Sequence, residues 1–235
     1  MIKPLLLSLL VTAVIAVPQS GNCRCRPEDS CWPSQKEWSA LNNTIHGNLV
    51  AVRPVASVCH QAEYDAKACS TITGLWSDSA WRSSQPGAAQ WENWEAWPER
   101  NQSCYVGSPQ NAVCGQGRIS LYSVKAHSAS DIQQAVRFAS AHNLRLVIKN
   151  TGHDFLGRST APESLQILTH GMTDVQIVDD FVPKRSVKSE GPAVTIAAGV
   201  QLPQMYAAVA KHNRTVIGGS SHTVGIRHIL QITHG

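Results

Sequence analysis

After Cys114 this 235-residue chain has no cysteine, although it has seven up to and including that residue. The first half can therefore be stapled and the second cannot. Beyond Val17 there is no apolar run near the about 20 residues that cross a bilayer, so no further segment reads as a span. No basic stripe exists: the net charge of +4 is spread along the chain, which excludes a nucleic-acid footprint. Repeats and low-complexity tracts are also missing, so the length suits one or two ordinary domains with their own core.

What is there begins with one lysine and an apolar run, Leu5 to Val17, with small residues at Val14-Ile15-Ala16. Residues 1–17 read as a signal peptide, against the alternative of a buried helix, and imply the secretory pathway with no membrane attachment after cleavage. Cys23, Cys25, Cys31, Cys59, Cys69, Cys104 and Cys114 agree with an oxidising lumen. They should pair with one left over, in a connectivity that spacing does not set. A metal knuckle at Cys23, Cys25 and Cys31 lacks the ligands to complete it. Asn42, Asn101 and Asn213 open glycosylation sequons.

Residues 18–115 are rich in Cys, Pro, Ser and Trp. Trp38 to Leu41 begins a short helix and Leu49 to Val52 is a strand. Trp76, Trp81, Trp91, Trp94 and Trp97 read as packing residues, or as a wall on which a ligand stacks. From Gln116 the pattern turns regular. Strands are expected at Ile119–Val124, Leu144–Lys149, Leu165–Thr169, Val175–Val178, Val194–Ala198 and Thr215–Ile217. A capping box at Ser130 and Gln133 opens a helix over Asp131–His142, with Ile132, Ala135, Val136 and Ala139 on one face. A second helix covers Leu202–Lys211, with Pro203 in its first turn. Alternating helix and strand make this a mixed unit, classed as α+β.

The chemistry concentrates in Lys149-Asn150-Thr151-Gly152-His153-Asp154-Phe155-Leu156-Gly157-Arg158-Ser159. It follows the apolar run Leu144–Ile148, read as a buried strand, so His153 sits in a strand-exit loop. Gly152 and Gly157 let backbone amides turn toward an anion. The alternative is a surface turn carrying an incidental histidine. Asp154 either caps the loop or accepts a bond beside the histidine. Arg158 either balances a phosphate or pairs with Asp154 or Glu163.

This loop resembles the flavin-attachment loop of secreted fungal FAD-linked oxidases of the vanillyl-alcohol-oxidase and berberine-bridge-enzyme type. The resemblance takes in Gly117-Arg118-Ile119-Ser120, Ser164 to His170, Ala198-Gly199-Val200 and Ile217-Gly218-Gly219-Ser220. It implies the first part of a PCMH-type FAD-binding domain over residues 116–235, incomplete, with FAD as cofactor. It implies a covalent flavin link at His153, and cofactor contacts at Asn150, Thr151, Gly152, Asp154, Gly157, Arg158, Ser159, Gly218 and Gly219. Within the family the chain most resembles the chanoclavine-synthase type of ergot-alkaloid clusters. Full-length relatives would oxidise or oxidatively cyclise a small organic precursor.

Two departures follow. Relatives carry Gly-x-Cys-Pro-Thr-Val-Gly, whose cysteine is a second flavin tether; here Ser221 and His222 replace Cys and Pro. A serine hydroxyl does not become the thiolate that such a link needs. After Gly225 bulky residues stand where relatives place glycines. The expectation is a truncated, inactive oxidoreductase without a catalytic residue of its own. The alternatives are an active oxidase of which these residues are a part, and a secreted, disulfide-stapled binding module.

Overall fold

The computed structural model describes residues 23–225. The leader expected over 1–17 and the run after Gly225 lie outside them. None of the described helices is long and apolar enough to cross a membrane.

Helix α1 (Gln35–Thr44) starts earlier than expected, because Ser34 and Glu37 form a reciprocal capping box. It buries Trp38 and Leu41. The Trp38 ring stacks on Tyr122 at 4.0 Å. Strand β1 (Leu49–Ala51) follows, then helices α2 (Ala66–Leu75) and α3 (Ser79–Ser84). Disulfides join Cys25 to Cys31, Cys59 to Cys69 and Cys104 to Cys114, each closing a short loop; Cys23 is the exposed one left over.

A four-stranded sheet runs in the order β1-β2-β4-β3, with β2 (Tyr122–Lys125), β3 (Arg145–Lys149) and β4 (Ser164–Leu168) parallel and β1 antiparallel. Strand β2 begins later than Ile119 because the Ile119 amide closes a turn on Gln116. Helix α4 (Ala129–Ala141) crosses from β2 to β3. Its capping box is Ser128 with Asp131, not Ser130 with Gln133, since Asp131 accepts the His127 and Ser128 amides. Its buried face carries Ala135 and Ala139 with Ile132 beside them; Val136 turns to solvent.

The expected buried strand is misplaced by one. Every residue of β4 is buried, having a partner on each side. Strand β3 is the edge among the described residues, and Ile148 is 43% exposed. The core gathers Cys25, Trp38, Leu41 and Ile45 with Val124, Ala135, Leu144, Leu165 and Ile167. The stapled segment thus shares one core with the sheet.

A smaller unit follows: the hairpin β5 (Val175–Val178) and β6 (Ala193–Ile196) with helix α5 (Leu202–Ala210) packed on it. Its core is Val200, Leu202 and Met205. Thr215–Ile217 forms no strand, and Ile217 is exposed.

Candidate active site

Residues 150–159 leave the carboxyl end of β3, where open α/β sheets hold their ligands. They line a cavity of about 130 Å³ with Ile148, Asn150, Thr151, Gly152, His153, Asp154, Arg158 and Ser159 on its walls. All eight predicted positions of the loop are here except Gly157, which braces it. Gly218 and Gly219 are not on the walls. Gly218 lies against Leu202 and Met205 of α5, and the Gly219 carbonyl accepts the Tyr206 hydroxyl at 2.6 Å.

The loop rests on residues 82–95. The Gln90 amide donates to the Gly152 carbonyl at 3.2 Å, and the Gln90 side chain donates to the Thr151 carbonyl at 3.0 Å. Gly152 has φ +86°, and a Cβ there would lie 3.1 Å from Lys149 Cε and 3.3 Å from Ala89 Cα. Gly157, at φ +73°, is tighter: its Cβ would lie 2.4 Å from the Trp94 ring. Trp91 and Phe155 pair at 5.6 Å on the outer side, both exposed. The other four tryptophans of that group are half-buried, so they pack at the periphery of the fold.

Beneath the floor lies a charged cluster that sequence reasoning missed. Lys149 is fully buried and donates to the carbonyls of Arg82, Ser83 and Gln85, closing the end of α3. A cation there satisfies carbonyls that the helix leaves open. Arg82 pairs with Glu95, both buried, and Glu95 also accepts the Ala89 amide at 2.7 Å. Burial pushes Glu95 up to about 7 against the pull of Arg82. Burial brings Lys149 down to about 7, with Glu95 opposing. The available signal was a lysine ending an apolar strand; Arg82 and Glu95 gave none.

Asp154 caps the loop. It accepts the Leu156 and Arg158 amides at 2.9 and 3.1 Å and the Arg158 guanidinium at 2.6 Å. That guanidinium holds its carboxyl down at about 2. Glu163 pairs with Arg26 instead. His153 Nε2 lies 2.7 Å from the Thr223 hydroxyl. Both amide atoms of Asn150 are buried with no hydrogen-bond partner among the described residues. Buried polar atoms are rarely left so.

Residues 120–226 match the family described as FAD binding domain. They belong to it. The chain is 56% identical over 215 residues to an FAD-linked oxidoreductase of Arthroderma benhamiae, covering 91% of this chain and 37% of that one. It is 48% identical to the FAD-linked oxidoreductase easE of Claviceps fusiformis, covering 88% and 36%. The crystal structure of a VAO-type flavoprotein of Myceliophthora thermophila superposes with a TM-score of 0.77 at 35% identity, over 87% of this chain and 36% of that one. The chain therefore spans little more than a third of the relatives it matches. The fold is the mixed α/β of a VAO-type FAD-binding domain, and FAD is the family's cofactor.

The residues present fit that group. A buried, unpartnered Asn150 amide and loop backbone at a strand's carboxyl end are what an anionic ligand needs. A cavity of about 130 Å³ admits part of an FAD, not the whole.

Proposed function

We propose that this chain supplies the flavin cradle of an FAD-linked oxidoreductase acting on a small organic precursor in fungal secondary metabolism, an alkaloid intermediate being the favoured class. The observation that carries it is His153 on a strand-exit loop, over the cavity, inside the matched family region. When bound, FAD supplies the acceptor for a substrate hydride. Asn150, Thr151, Gly152 and Ser159 would hold it and His153 would carry its covalent link, while Asp154 keeps the loop closed by capping its amides. Arg158 is spent on Asp154, so its share in phosphate binding is secondary.

These 235 residues by themselves are proposed to be inactive. Supporting this is Ser221 in place of the second tether. The secretory pathway is the proposed location, supported by three disulfides. Asn101 and Asn213, exposed and in left-handed turns, are the better glycan acceptors. Asn42 is half-buried and its side chain accepts the Leu49 amide. A mass shift on endoglycosidase treatment reads them. The shared core weighs against a separate binding module.

The test is flavin retention. After acid denaturation, yellow colour stays with the wild-type protein and leaves with His153→Ala. Covalent flavin surviving that substitution overturns the attachment. Peroxide release against an alkaloid-precursor panel should match the His153→Ala background; turnover above it overturns the inactive reading.

A further inference from the structure

The segment after α5 returns to the histidine loop and meets it twice. Thr223, nearly buried, sets its hydroxyl 2.7 Å from His153 Nε2. Two residues on, Gly225 lies so close to Asn150 that a Cβ would stand 2.0 Å from Nδ2. Gly225 is not in a left-handed conformation, so close approach alone demands the glycine there. A bridge to Gln201 at the start of α5 holds its other side. Residues 221–225 therefore form a clasp across the loop, where the resemblance leads one to expect a cysteine tether and finds Ser221.

We propose that Thr223 is a positioning residue for His153, setting the plane of its ring and which nitrogen faces the cavity. This rests on His153 being the flavin-bearing residue. An imidazole turns freely about its last side-chain bond unless a partner stops it. The hydrogen bond at one ring nitrogen also decides which tautomer is present. The contact comes from the segment after α5, 70 residues along the chain from His153.

The experiment uses the 235-residue chain and three variants: Thr223→Val, which keeps the shape and removes the hydroxyl, Thr223→Ser, which restores it, and Thr223→Ala. The flavin-free protein is treated with diethyl pyrocarbonate, and acylation of each histidine is followed by peptide mass. In Thr223→Val the rate at His153 should change about fivefold, the size of one hydrogen bond, with the other histidines unmoved. Thr223→Ser should behave as wild type. Flavin retained after acid denaturation should fall in Thr223→Val and recover in Thr223→Ser. Unchanged acylation in Thr223→Val, or failure of the serine to rescue, overturns the proposal. If wild type retains no flavin, the attachment reading fails, while the acylation rates still decide the role of Thr223. Should Thr223→Val unfold, Thr223→Ala takes its place with the same outcomes.

Discussion

Two loops of this molecule each turn on a glycine at positive φ and differ in what holds them. Residues 150–159 leave β3 and residues 179–192 join β5 to β6; the glycines are Gly157 at +73° and Gly191 at +83°. The second loop is held by its own bonds, Phe181 to Gly191 and Glu190 to Phe181, both 2.9 Å. Nothing stands within 4 Å of a Cβ built on Gly191, and Val187 is fully exposed. The first loop is held from outside itself, by Gln90, by the Trp94 ring and by Thr223. A turn becomes a ligand cradle through what packs under it. Loops supported by few contacts open easily, whereas supported ones share the stability of the core.

The sharpest attack on that contrast removes the floor. Lys149→Met keeps the apolar stem and deletes the charge that closes α3. Taking the donor from three buried carbonyls costs about 3 kcal/mol or more, which urea unfolding reads. The pH dependence gives an independent check. Lys149 is depressed from 10.5 to about 7, so between those values the unfolded chain keeps a proton that the folded one has lost. Stability from this group rises with pH across that window, and the variant should lack the rise. Glu95 acts oppositely: raised from 4.5 to about 7, it gives stability that is full below 4.5 and lost as pH rises through 7. A Lys149→Met protein as stable as wild type would show the floor to be ornamental.

The contrast is next sharpened by one substitution in each loop. Gly157→Ala and Gly191→Ala both strain a left-handed backbone, at about 1 kcal/mol each. Only Gly157→Ala also drives a methyl into the Trp94 ring, adding about 1–3 kcal/mol of overpacking. Melting curves should therefore separate the pair, and flavin retention should drop only for Gly157→Ala. Equal shifts would mean that Trp94 yields and does not brace the loop.

The sequence made the loop visible, and with it β4, β5, β6 and α5 to within a residue or so, because apolar runs and glycines are local signals. It began α1 at Trp38, three residues late, and gave α4 the cap Ser130 with Gln133 where Ser128 with Asp131 forms it. It took β3 for the buried strand since both β3 and β4 are apolar, and strand order within a sheet leaves no local mark. The floor was illegible for a stronger reason. Arg82, Glu95 and Lys149 meet only in space, and a charge in sequence reads as surface until its partners are known. Likewise Thr223 and His153 are 70 residues apart.

The smallest effect is expected where the site loop is least supported. Asp154 takes two loop amides on one oxygen, Oδ1, and the Arg158 guanidinium lies mostly in solvent. In Asp154→Asn the remaining carbonyl oxygen can keep both amide bonds, so only the attraction to Arg158 is lost. Exposed pairs contribute little, and melting should fall by about 1–2 °C. The acid limb is the more telling readout. The Arg158 hydrogen bond holds Asp154 at about 2, below the ordinary 3.8. Its contribution is therefore complete above 3.8 and is lost as pH falls through 2, a loss Asp154→Asn cannot show. Melting at pH 7 and pH 2, compared between the two proteins, isolates it. If Asp154→Asn melted as far below wild type as Gly157→Ala, the cap and not the floor would be holding the loop, and the contrast between the two loops would rest on Asp154 alone.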